Sequence, residues 1–164
     1  MPPSHAAKQE MGAPKKEVDP RMHSAEHILT ATLMAMFGCA RPFTTHLEKK
    51  KSKADYHYPR DLAAAETNQI EARVNEVIGR NLSVWEEFLP RSEAKGLYDL
   101  ARLPEGAGKR VRIVHIGDYD ACPCHGNHVT QTNAVGRFRI VSTTYESGAL
   151  RVRFKLDANP GMLQ

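Results

Sequence analysis

Two pairs of metal-binding side chain types, one near each end of the chain, constrain the fold more than any other feature. His23 and His27 stand four residues apart, and so do Cys124 and His128. Side chains four apart on a helix project from one face. A thiolate and an imidazole at similar spacing complete a tetrahedral nitrogen–sulfur set of the kind zinc prefers. A fold that uses both pairs must bring an early helix against a late loop. The alternative is an accidental scatter, since the chain has 8 His and 3 Cys. Two local contexts argue against it. Ala25, Ile28, Leu29, Leu33 and Met36 form an apolar stripe, and at roughly 100° per residue His23 and His27 fall on the opposite side. Cys124 and His128 lie in a segment whose Pro123 and Gly126 mark a turn. A turn there can aim several donors at one point.

A chain of 164 residues, 41% hydrophobic and 26% charged, suits one globular domain with its own core. Residues 1–18 hold Pro2, Pro3, Pro14, Lys8, Lys15 and Lys16 without an apolar period, so a flexible N-terminal tail is expected, followed by a domain over 19–158. No apolar run is long enough to span a membrane, and no hydrophobic leader opens the chain, so a cytoplasmic location is expected. Three cysteines do not make a disulfide framework. In a reducing compartment Cys122 and Cys124 read as metal-site thiols. Cys39, following Gly38, reads as a small buried apolar residue. The net charge of +4 mildly favours a polyanionic partner, although part of the excess sits in the tail.

Asp19-Pro20 is a helix start, with Asp as cap and Pro at the first helical position, and Gly38 is a stop after Phe37. Extended segments follow at 43–48 and 54–58. Lys49, Lys50, Lys51 and Lys53 lie between or beside them, which predicts a hairpin with a basic tip. A second helix is expected from about Asp61 to Arg80, with Ile70, Val74, Val77 and Ile78 at helical spacing. A short strand over 82–87 and a helical turn over 91–95 come next. In the last third, Val111 and Ile113, then Phe138 and Ile140, then Val152, Phe154 and Leu156 alternate with Arg or Lys. That is antiparallel strand with one buried and one polar face. The fold class is α+β: a single domain with an antiparallel β-sheet packed with two main helices.

The residues His23-Ser24-Ala25-Glu26-His27 and Cys124-His125-Gly126-Asn127-His128 resemble the paired HxxxH and CxxxH motifs of the aminoacyl-tRNA editing domain of alanyl- and threonyl-tRNA synthetases. Tyr98-Asp99-Leu100, Ile116-Gly117-Asp118-Tyr119 and Gly136-Arg137-Phe138-Arg139-Ile140 support the resemblance, which covers residues 20–156. With no room for an aminoacylation domain, the chain resembles the freestanding AlaX type in its short form. The resemblance implies hydrolysis of a wrong amino acid from mischarged tRNA in trans, usually seryl- or glycyl-tRNA for alanine. It implies Zn2+ held by His23, His27, Cys124 and His128, and a pocket threonine at Thr44. Two departures bear on specificity. The loop interior His125-Gly126-Asn127 is closer to the threonine type, which leaves seryl-tRNA for threonine as an alternative. Cys122 offers a second thiol, although the spacing to His128 favours Cys124.

Ester hydrolysis needs a positioned water and a stabilised oxyanion. Zinc can supply both, but four protein ligands resemble a closed, structural site. Either one ligand stays loose, or zinc shapes the pocket while Thr44 and backbone donors orient the water. Thr44 and Thr45 offer hydroxyls for a seryl side chain. His125, inside the metal loop, is a candidate for substrate contact and catalysis. Asp118 or Asp120 can orient a metal-bound histidine. Lys49, Lys50, Lys51, Lys53 and Arg137 are candidate tRNA contacts. If the arginines of the late strands share one face, they make a basic platform for phosphate. A non-catalytic zinc-stabilised RNA-binding module and a small-ester metallohydrolase remain as competing functions.

Overall fold

The structure is a computed structural model and describes residues 18–101, 103 and 108–157. The tail expected over 1–18 lies outside them but for its last residue. Helix α1 spans Pro20–Phe37. Asp19 caps it by accepting from the backbone N–H of Arg21 and Met22, and Gly38, at φ +70°, ends it by donating to Met34. Strands β1 (Thr44–His46) and β2 (Ser52–His57) form the expected hairpin, with Lys49, Lys50 and Lys51 exposed in its connection. Helix α2 covers Ala64–Gly79 and buries the four apolar residues that predicted it. It starts three residues later than expected, because Asp61 is spent locally. Its carboxylate accepts from the Leu62 N–H and from the Thr143 hydroxyl.

Strand β3 spans Val84–Pro90, helix α3 Arg91–Leu97, strand β4 Arg110–Ile116 and strand β5 Asp120–Pro123. A 3₁₀ turn at Thr132–Val135 leads to β6 (Phe138–Glu146) and β7 (Ala149–Leu156). β3 runs further than its apolar pattern suggested, pairing through Pro90 with Arg110. Proline is tolerated there because β3 is an edge strand.

The strands form two antiparallel sheets rather than one, in the orders β1-β2-β7-β6 and β3-β4-β5. The alternation of each late strand marks its buried face but does not name its partner. β7 pairs on one side with β6 and on the other with the much earlier β2. The arginines of β4 therefore belong to a different sheet from those of β6 and β7, and the late-strand arginines do not share one face. The main core is built from α1, α2 and the inner face of the four-stranded sheet, with Ile28, Leu29, Val74, Tyr56, Phe138 and Phe154 fully buried. A smaller core joins Ala94 of α3 to Val111 and Ile113 of β4. No helix among the described residues is long and apolar enough to cross a membrane.

Candidate metal centre

α1 is buried all round its first three turns, from Met22 to Leu33. The apolar stripe faces the core, as its spacing implies. The opposite side is covered by the loop that follows β5. His23 and His27 lie under that loop, 9% and 3% exposed. The ligand atoms of His23, His27, Cys124 and His128 all lie within 4.8 Å of one another. Sγ of Cys124 stands 3.3 Å from Nε2 of His23 and 3.5 Å from Nε2 of His128. Nitrogen and sulfur donors on one tetrahedral zinc, at about 2.0 and 2.3 Å from it, stand about 3.5 Å apart. The donor set and its spacing fit the ion.

The outer nitrogens of the rings strengthen this fit. Nδ1 of His23 lies 3.1 Å from the carbonyl oxygen of Asn127. A carbonyl only accepts, so Nδ1 carries the proton and the Nε2 lone pair points at the cluster. Nδ1 of His128 lies 3.0 Å from Oγ of Ser24, which also accepts the Val129 N–H and so ties the loop to α1. Nδ1 of His27 is buried and stands 3.5 Å from Oδ2 of Asp120, longer than a formed hydrogen bond. Each ligand histidine thus has an outer neighbour of the kind that fixes ring orientation in metal sites. Of the two candidate aspartates, Asp120 occupies this position. Arg41 holds it with contacts of 2.8 and 3.4 Å, and also donates to the Ala121 carbonyl.

The electrostatics follow from burial. Desolvation, with positive charge on His27 and Arg112, pushes His23 down to about 4 and His128 to about 2, so both are neutral at pH 7, the form that can bind a metal. Burial also opposes charge on His27, but Glu26, Asp120 and Cys124 outweigh it and hold the pKa well above 6.5. Burial would raise the Asp120 carboxyl, yet His27 and Arg41 hold it below the usual carboxylate range.

The loop is shaped to this geometry. Gly126 has φ +121°, and a Cβ there would lie 3.0 Å from Cε1 of His23. Arg112 donates to the carbonyls of Cys124 and Gly126 and pairs with Glu86, pinning the loop to β4. Arg112, Arg41, Ser24 and the Asn127 carbonyl carry no sequence signal that marks them as supports. Cys122 is outside the cluster, buried on β5 with its thiol pushed up to about 11 chiefly by desolvation. His125 is exposed beside Cys124, in a small pocket with Arg110 and Arg112. Thr44 and Thr45 lie on β1, opposite Asp55 and Ala54. Neither belongs to the converging set. Lys53 is on β2, and exposed Arg137 reaches Asp157 at 4.0 Å.

Residues 111–164, which include Cys124 and His128, match the threonyl and alanyl tRNA synthetase second additional domain. The chain is 32% identical over 136 residues to the alanine–tRNA ligase of Acidithiobacillus ferridurans, covering 79% of this chain and 15% of that protein. It is 32% identical over 143 residues to that of Treponema denticola (82% and 23%), and 31% over 152 residues to that of Desulforamulus reducens (92% and 17%). The domain match and the relatives, similar over most of the chain, are consistent with a protein of the second additional domain type. The chain spans between 15% and 23% of the length of the relatives named here. The similarity to the Desulforamulus reducens protein covers 92% of the chain, enough to take in both α1 and the metal loop, and the resemblance drawn from the two motifs stands.

Proposed function

We propose that this chain is a zinc-dependent deacylase that acts in trans on mischarged tRNA, with seryl- or glycyl-tRNA for alanine as substrate. The observation that carries the reading is the convergence of His23, His27, Cys124 and His128 within 4.8 Å in a domain of a tRNA synthetase family. When bound, zinc supplies a positive centre beside the aminoacyl ester that can polarise a carbonyl or acidify a water. The chain's own residues do the rest. Thr44 orients the attacking water, and Thr45 accepts or donates to the seryl hydroxyl. A hydroxyl partner of this kind disfavours alanine, whose methyl leaves the polar group unpaired. His125, exposed on the metal loop, contacts the substrate and is the candidate to hold or pass the proton of the leaving ribose oxygen. Support for Thr44 comes from Arg41, three residues earlier, whose bond to Asp120 tethers this segment beside His27. Lys49, Lys50, Lys51, Lys53 and Arg137 contact tRNA phosphates, and the reaction takes place in the cytoplasm.

Four protein donors at one point also suit a closed structural zinc, which favours a second reading as a non-catalytic RNA-binding module. One assay separates the two. Deacylation is followed with seryl-, glycyl- and alanyl-tRNA for alanine and seryl-tRNA for threonine, using wild type, chelator-treated protein and Cys124→Ala. The expected result is selective release from seryl- or glycyl-tRNA for alanine, lost in the variant. Release from seryl-tRNA for threonine alone reassigns the substrate. No release from any substrate by folded, zinc-loaded protein leaves the binding module.

A further inference from the structure

The outer face of the four-stranded sheet carries a cationic row that the described structure offsets only in part, through the neighbouring Asp55 carboxylate. Alternate residues of a strand face opposite sides. Ala54 and Tyr56, opposite Val152 and Leu150, fill the core side. The other side presents, in one row across all four strands, His46, Lys53, Arg153 and Ser142. Lys53 and Arg153 are direct cross-strand neighbours on strands about 4.8 Å apart. Like charges so placed repel and destabilise a sheet. Among the described residues, the ion pairs include neither of them, nor Lys51. Arg153 donates, among the described residues, to the hydroxyls of Ser142 and Thr144, both at 3.4 Å, and shares the Asp55 carboxylate through space with Lys53 and Arg151.

The next row shows what a neutralised register looks like. There Asp55 stands opposite Arg151 and accepts two bonds, at 2.7 and 2.9 Å. The guanidinium holds the Asp55 carboxyl below its ordinary range. The cationic row instead opens into a groove of ≈ 290 Å³ lined by His46, Glu48, Lys51, Ser52, Lys53 and Arg153. Glu48 is the one acid in that lining, against three permanent cations.

We propose that this sheet face binds the phosphate backbone of tRNA, with His46, Lys53 and Arg153 as its central row and Lys51 at its rim. The proposal rests on the tRNA reading above and extends it from the hairpin tip to the sheet. A polyanion offsets the repulsion between Lys53 and Arg153 that the free protein retains. Such contacts fix orientation and carry little sequence information. They also bind more weakly as salt rises, because displaced counterions return.

The test is binding of uncharged tRNA to the full chain between about 50 and about 200 mM salt. It compares wild type, the double variant Lys53→Gln/Arg153→Gln, and the controls Arg73→Gln on α2 and Lys95→Gln on α3. The double variant is expected to lose at least about tenfold in affinity at low salt and about two units of salt slope. The controls should match wild type, and the double variant should melt no lower, since it removes a repulsion. Wild-type affinity and slope in the double variant overturn the proposal, as does binding to anionic vesicles without binding to tRNA. Deacylation by wild type with KM unaltered in the double variant removes this surface and leaves the deacylase. tRNA binding lost in the double variant, with no deacylation by wild type, supports the surface and removes the deacylase.

Discussion

Cys122 and Cys124 are two residues apart and face different chemistry. The strand turns the first thiol into the protein, where burial keeps it protonated. The second lies past the strand end, against His23 and His128. Cys124→Ser should therefore lower zinc affinity by orders of magnitude, while Cys122→Ser keeps one zinc per chain. Competition with a chromophoric chelator measures both, and equal loss in the two variants would contradict the assignment. Asp120 is the most testable support. Asp120→Asn weakens the hold on the His27 ring, and losses of about 10–100-fold in metal affinity are usual for such outer partners. Unchanged affinity in a folded Asp120→Asn protein would show that 3.5 Å is too far to matter. The histidines also set a pH dependence for the metal-free chain. His23 and His128 titrate near 6.5 when unfolded but only at about 4 and about 2 when folded. Between pH 6.5 and about 4 the unfolded state binds more protons, so stability falls as pH falls. His27 is raised, so its contribution is fully present below 6.5 and adds no slope there. A melting temperature for the chelated protein that stays level from pH 6.5 to 4.5 would refute the buried neutral pair.

Among the elements, helices and hairpin were legible because their signals are local. Asp19-Pro20, Gly38 and the spacing of Ile70, Val74, Val77 and Ile78 each act within a turn or two. The two-sheet division was not legible, since it depends on which strand β7 chooses and on β4 turning to β3. The convergence of His23, His27, Cys124 and His128 was legible from their paired spacing, but the supports were not. Arg41 and Arg112 reach their partners across 79 residues and 12–14 residues respectively, with no periodic signature. The loop itself gives the sharpest test of how element shape governs the centre. Gly126 sits at φ +121°, a conformation that side chains disfavour, and its missing Cβ leaves room for the His23 ring. Gly126→Ala should displace His23 or the loop by a few tenths of an ångström and weaken zinc binding at least about tenfold. Gly148→Ala also occupies a positive φ, in the β6–β7 turn, but meets nothing within 4 Å. It should lose stability without losing zinc affinity. Equal zinc affinity in the two variants would show that the cradle does not constrain the ring.

For the whole molecule, the question is whether zinc builds the fold or fastens it. The ligands join α1 to a loop about a hundred residues later, and closing so long a loop constrains the unfolded chain strongly. Small zinc domains with that topology often unfold when the metal leaves. Here the apolar side of α1 packs on α2 and on the four-stranded sheet independently of the ligands, and Ile28, Leu29 and Leu33 are fully buried there. Asp19 and Gly38 cap the helix without the metal. The loop also has its own anchors in Arg112, Ser24 and the Arg41–Asp120 pair. The chelated protein should therefore stay folded, with its far-ultraviolet circular dichroism largely unchanged, and melt at a lower temperature. Free zinc at a hundred times Kd adds about 2.7 kcal/mol by mass action. For a domain of this size that is a shift of roughly 5–11 °C, rising with the logarithm of zinc concentration. Collapse of the secondary structure on chelation would make zinc a folding ligand and the capped helix insufficient. A melting temperature indifferent to zinc would mean that the four donors, for all their convergence, do not hold it.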